Sequence, residues 1–189
     1  KVPVRLYPYV SLMRGLLGYI DTDAHDYTEL GYEIDKHLGD MSFGSLICCY
    51  KDDPECVRTF VRPSFAALTD EIPYGIDLLK EIISSSHWDD TNRLKEVISE
   101  MKSRMEGSLQ SNGHGIASGR ALSYLSKGAA ISELMGGVSQ YRFLKDLEEN
   151  FAKKREEIVA NLKNVVRLIF QKDVLLLDVT GTASLLDSL

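Results

Sequence analysis

The chain has 189 residues, 44% of them hydrophobic and 26% charged, with a formal net charge of −6. That length carries one domain with a real core, and the composition is ordinary for a globular protein. The acid excess disfavours nucleic acid or an anionic membrane as a general partner. No apolar run nears the roughly 20 residues of a membrane span. The opening "KVPVRLYPYV" shows no signal-peptide pattern, so a cytoplasmic location is expected.

Pro3 is placed to open a first helix, in which Leu6, Val10, Met13, Leu16 and Leu17 recur at helical spacing. Asp26 caps a second, with Glu29 in capping-box position, running through Leu30 and Ile34 to Gly39. "MSFGSLICCY" and "CVRTFVRPSF" then predict two strands joined at the turn "KDDPE". A third helix is expected over 73–86, with Ile76, Leu79 and Ile83 on its apolar face. Asp89 or Asp90 caps a long fourth, with Leu94, Val97, Ile98, Met101 and Met105 along one side. After the glycine-rich "SNGHGIASGRAL" come short helical pieces through Leu134. Ser139 is expected to cap the helix in "GGVSQYRFLKDLEENF". A last amphipathic helix covers 152–170, and "DVLLLDVTG" predicts a closing strand in a buried, central position.

This order gives the α+β class, as a two-layer sandwich of helices on a small mixed or antiparallel sheet. One domain is expected over 1–189, with a helix-helix-hairpin-helix part at 1–88 and a helical part with the closing strand at 89–189. A buried last strand needs neighbours on both sides, and the hairpin supplies one. A strand is therefore expected to be missing on the N-terminal side.

Chemistry-bearing residues are sparse. The glycine-rich stretch follows a helix rather than a strand and lacks G-K-[ST], so it does not suit a phosphate. Its glycines are expected to break the long helix and let the chain re-enter at a new angle. His114 is expected to cap backbone groups at this junction, since no nucleophile pattern accompanies it; a small hydrolase using it ranks last. Arg120 stays open between pairing with Glu100 or Glu106 and facing an extended ligand. No two of His25, His37, His87 and His114 lie within one helical turn of each other, so no local zinc motif exists. His37 is expected to pair weakly with Asp35 or Asp40. The acidic run "DTDAHD" lacks the glycine and terminal glutamate of a calcium loop. Cys48, Cys49 and Cys56 are expected to be buried or half-buried free thiols. No residue is assigned to catalysis or metal binding, and substrate-binding residues are unassigned.

"VPVRLYPYVSLMRGLLG", "YTELGYEIDKHLGDMSFGS", "RMEGSLQSNGHGIASGRALSYLS" and "ISELMGGVSQYRFLKDLEENF" together resemble one region of the pitrilysin/insulinase class of zinc metallopeptidases, in its presequence-protease branch. The resemblance runs from about Val2 to Thr182 and is most specific from Met105 to Phe151. It implies a large peptidase whose two halves enclose a chamber and whose first domain carries an inverted zinc motif, H-x-x-E-H. This chain resembles the third domain, which repeats the fold without the site. The helix in the zinc helix's place, "YPYVSLMRGLLGY", holds no histidine, aspartate or glutamate. Glu96 and Glu100 lie roughly where a third ligand would come, and are expected to be solvated or salt-bridged.

The resemblance implies a non-catalytic domain of a zinc metalloendopeptidase, inactive alone, forming part of a chamber wall for unfolded peptides. Its implied partners are the catalytic half of the same polypeptide and the peptide substrate, with zinc held elsewhere in the parent. Family strands precede the first helix and are expected to be missing here, leaving an edge open to self-association. The competing expectation is a stand-alone α+β interaction module unrelated to proteolysis.

Overall fold

The computed structural model describes residues 2–53 and 55–176. Pro3 precedes a 3-10 turn, Val4–Leu6, that runs into α1 (Tyr7–Leu16). Leu17 and Gly18 end the helix, with Gly18 at φ 83°, a left-handed conformation that glycine adopts without strain. α2 (Tyr27–His37) has the expected capping box: the Asp26 carboxylate accepts from the Thr28 and Glu29 amides, and Glu29 reaches back to the Asp26 N–H. The hairpin is β1 (Asp40–Cys49) and β2 (Val57–Ala66), antiparallel in the register Asp40↔Ala66 to Cys49↔Val57. Beyond the strand ends Tyr50 N–H still donates to Cys56 O, at 3.2 Å, so the turn inside that bond is the expected 51–55.

The helical layer is α3 (Ile72–Ser85), α4 (Thr91–Ser111), α5 (Gly113–Leu122), α6 (Lys127–Gly136), α7 (Val138–Glu149) and α8 (Phe151–Ile169). Asp90, not Asp89, caps α4, accepting from the Asn92 and Arg93 amides. α1 is the hub. Tyr9, Val10, Leu12, Met13 and Leu16 are buried, and α4, α6, α8 and β1 pack around the helix. A helix apolar on nearly every side belongs in the interior. Gly15 lets α4 come close, since a Cβ there would lie 2.5 Å from Met101 Sδ. Gly75 likewise admits the Phe65 ring of β2 onto α3.

The hairpin's inner face holds Met41, Phe43, Val61 and Phe65 against the core; its outer face carries Leu46, Arg58, Phe60 and Arg62. Tyr50 bonding to Cys56 fixes the alternation of the ladder, so the Phe43↔Pro63 pair turns its backbone groups outward. Arg14 Nε takes the outward Phe43 carbonyl at 2.6 Å. Pro63 has no N–H to present, which removes one donor from the outer edge of β2.

Several expectations are corrected. The buried face of α3 is Gly75, Leu78 and Ile82, while Ile76 is exposed and Leu79 and Ile83 are half-buried. The stripe lies one position earlier because Gly75 faces Phe65 and draws its own side inward. The N-cap of α7 is Gly137, with Ser139 in the first turn. Asn112 (φ −128°) breaks the long helix, and the three glycines then lie within α5 itself. Cys48 is half-buried, but Cys49 and Cys56 are exposed at the hairpin end. Of the expected closing strand, 173–181, Asp173 and Val174 belong to a 3-10 turn, Lys172–Val174, and Leu175 and Leu176 are exposed; residues 177–181 lie outside the described residues. Among the described residues the sheet has two strands.

Candidate functional site

The resemblance directs attention to α1, in the place of a zinc helix. Its side chains meet the core rather than a cleft, and its one charged group is Arg14. The guanidinium donates from Nε to Phe43 O and from Nη1 to Ser45 Oγ at 3.1 Å, which ties α1 to β1. Burial pushes its pKa down, yet an arginine remains cationic near neutrality. A fixed positive charge repels a divalent ion. Glu96 pairs with Arg93 at 3.0 Å, and Glu100 stands exposed on the same open face of α4. No group of three or more histidine, cysteine, aspartate or glutamate side chains converges among the described residues. These residues do not fit zinc, and no chemical step is derived through it.

The glycine-rich stretch leads to a polar cluster instead. Glu133 on α6 is only 6% exposed. Its Oε1 accepts from Arg120 Nη1 at 3.0 Å, from Ser139 N–H at 3.0 Å and from Ser139 Oγ at 3.3 Å. One carboxylate thus caps α7 from the preceding helix and anchors α5 through Arg120. Arg120 therefore faces neither Glu100 nor Glu106; Glu106 instead accepts from Tyr141 at 2.9 Å. The Glu133 hydrogen bond raises the Arg120 pKa, and Tyr124, whose ring centroid is 5.3 Å away, adds to it. Gly137 makes the cluster possible, because a Cβ there would overlap the Glu133 carboxylate.

His114 is exposed on α5 and caps no backbone group at the junction, where Asn112 supplies the break. His37 lies between Glu71 (2.9 Å) and Glu33 (3.4 Å), not beside Asp35 or Asp40. His25 meets Glu81 at 2.9 Å, and His87 meets Asp23 at 2.8 Å. Apart from His37–Glu33, which lies within α2, these pairs join residues 34 to 64 apart in sequence, which periodicity cannot show. Glu133 had one faint local signal, an acid just before a double glycine and six residues before Ser139.

The model of the peptidase-associated family, the region associated with subfamily C of the M16 peptidases, matches residues 1–147. The chain belongs to that family. This peptidase-associated region is 33% identical over 181 residues to the protein HypA of Clostridium perfringens, covering 96% of this chain and 18% of HypA. It is 28% identical over 179 residues to presequence protease 1, chloroplastic/mitochondrial, of Arabidopsis thaliana, covering 93% of this chain and 16% of that protein. Against the mitochondrial presequence protease of Xenopus tropicalis it is 26% identical over 148 residues, 78% of this chain and 14% of the relative. The chain thus spans less than a fifth of these relatives' length. It is a presequence-protease-like, non-catalytic region of the pitrilysin type.

Proposed function

We propose that this region is a wall element of a peptide-degrading zinc metallopeptidase, helping to enclose unfolded peptides while zinc and the hydrolytic groups come from the catalytic half of the same polypeptide. One observation carries the proposal. In a chain of the peptidase-associated family, α1, which the resemblance sets in the place of the zinc helix, is buried on nearly all sides and carries Arg14 as its one charged group.

The physical reason is division of labour. Metallopeptidase chemistry needs a metal with an open coordination position and a water poised for attack. A packed, cationic α1 offers neither, but it gives the helical layer a stiff centre. The outer sheet face carries Leu46, Phe60, Arg58 and Arg62, a mixed apolar and basic surface that suits weak contact with extended peptide.

Two experiments test this. The purified chain is expected to cleave no unstructured peptide with zinc added, and to give no zinc heat by calorimetry; zinc-dependent cleavage by the chain itself would overturn the proposal. In the full-length peptidase, photo-crosslinkers at Leu46 and Phe60 are expected to trap a bound peptide, whereas crosslinkers on α8 are not. Equal trapping at both sites, or trapping at α8 alone, would remove the wall assignment.

A further inference from the structure

Helix α2 is thinly anchored by apolar contact. Leu30 is its one fully buried side chain, helped by a half-buried Ile34 and by Leu38 at the C-cap. Polar contacts complete the attachment, and three of the chain's four histidines take part. His25, just before α2, places Nδ1 2.9 Å from Glu81 of α3. His37, its last residue, places Nδ1 2.9 Å from Glu71, in the 3-10 turn Thr69–Glu71, and Nε2 3.4 Å from Glu33. His87, after α3, places Nε2 2.8 Å from Asp23 in the loop leading to α2. Each pair bridges two elements except His37–Glu33, which lies within the helix.

The charge pattern around this seam is one-sided. Glu33, Glu71 and Glu81 make ion pairs with histidine and, among the described residues, with no lysine or arginine within 4.0 Å. The groups facing the histidines are Glu29 and Glu33 on α2, Glu81 and Tyr74 on α3, Glu71 on the 3-10 turn, and Asp23 in the loop; Lys36 of α2 acts on Glu33, and the Thr22 hydroxyl donates to Glu81. Tyr74 O–H donates to Glu33. β1, also packed on α2, has Asp40 as its one charged residue. Arg93 of α4 donates to Tyr19 O at 2.8 Å and stacks 3.8 Å from the Tyr27 ring centroid, a contact indifferent to pH near neutrality. When the His25 imidazole loses its proton, Glu81 keeps its charge and loses its ion-pair partner.

We infer that residues 21–38 form a pH-gated flap, clasped to α3 through the His25–Glu81 pair while His25 is cationic and loosened as His25 becomes neutral. The Arg93–Tyr27 stack, the Thr22 hydroxyl on Glu81 and the His87 N–H on Asp21 O do not depend on imidazole charge and keep the loosened flap tethered. The hydrogen bond to Glu81 raises the His25 pKa, with Glu81, Glu29 and Glu33 adding to it against the opposing effect of burial. A raised value means that the clasp is complete below the free-imidazole range and lost as pH climbs through the folded-state value.

Hydrogen exchange of the whole chain at about pH 6 and about pH 8 tests this. Rates are corrected for intrinsic chemistry, and α1 amides serve as the internal reference for global opening. Protection of the α2 amides relative to α1 is expected to fall by roughly 1.5-fold to fivefold at the higher pH. A ratio independent of pH would overturn the inference. In the double variant His25→Gln and His37→Gln the difference should largely vanish, with α2 weakly protected at both pH values. The double variant Glu71→Gln and Glu81→Gln, which removes the uncompensated charge, should flatten the profile without loosening it further. Retention of the full wild-type pH dependence in either double variant counts against the flap. If neither folds, NMR titration of His25 in the wild-type chain decides: a midpoint at or below the free-imidazole value sinks the proposal.

Discussion

Gly136 and Gly137 are neighbours for which the same substitution has opposite expected effects. Gly136 is the last residue of α6, and a Cβ built there meets nothing within 4 Å. Alanine in such a helical position gains about 0.5–1 kcal/mol, through lower unfolded-state entropy and better helix propensity. Gly137 has φ −94° and ψ −160°, extended backbone, so conformation is no obstacle to alanine. The obstacle is Glu133: the new Cβ would overlap its carboxylate and come within 3.0 Å of its Cα. That carboxylate cannot swing aside freely, because it holds the Ser139 N–H at the start of α7. Losing the cap costs about 0.5–2 kcal/mol and crowding costs about 1–3 kcal/mol, so Gly137→Ala should destabilise by about 2–4 kcal/mol. For a chain of this size each kcal/mol moves Tm by about 2–4 °C. Urea denaturation of both variants, followed by circular dichroism, gives the two values directly. A double-mutant cycle with Glu133→Ala isolates the clash, and most of the Gly137→Ala cost should disappear in that background. Equal effects of the two alanines, or a coupling energy below about 0.5 kcal/mol, would refute the account of the cap.

Leu12→Ala, at 0% exposure in the middle of α1, should cost about 3–5 kcal/mol in chemical denaturation, whereas Leu125→Ala, at 81% exposure, should stay within about 0.5 kcal/mol. Pro63→Val restores a donor on the outer edge of β2 and should raise the associated fraction in sedimentation velocity; an unchanged distribution would mean that this edge takes no part in self-association. The Tyr74 hydroxyl is pushed up to about 12, by burial first and by its hydrogen bond to Glu33 second. Because that value is raised, the Tyr74–Glu33 contact stabilises fully below about pH 10 and fades towards pH 12. Tyr74→Phe should therefore remove a late-titrating component from the ultraviolet phenolate titration, and no change in the late component would contradict the assignment.

What was legible in the chain followed from local rules. The capping box at Asp26 and Glu29, the Asp90 cap and the alternating hairpin each depend on residues a few positions apart, and each formed where expected. The α3 stripe slipped by one position because a tertiary contact, Phe65 against Gly75, decided which side turned inward. The apolar run after Lys172 has strand composition, yet composition alone could not supply a neighbouring strand: residues 172–174 turn instead and Leu175 remains exposed. At the candidate site, the lack of ligating residues on α1 was readable directly. The destination of Arg14 was not, since Phe43 lies 29 residues away. The three histidine clasps were hidden for the same reason. Glu133 is not legible in the sequence because an acid in a helix ordinarily faces solvent, and only the turn at Gly137 folds it underneath.

The central place of α1 has a cost during synthesis. Tyr9 donates to Glu157 at 3.3 Å, 148 positions further along the chain, so α1 waits for α8. At ribosomal speeds of about 5–20 residues per second, that delay is roughly 7–30 s. Throughout it, Leu12, Met13 and Leu16 lack the shelter they find in the finished molecule. Nascent chains of this kind should depend on a holding chaperone, and slowing translation should lower their yield.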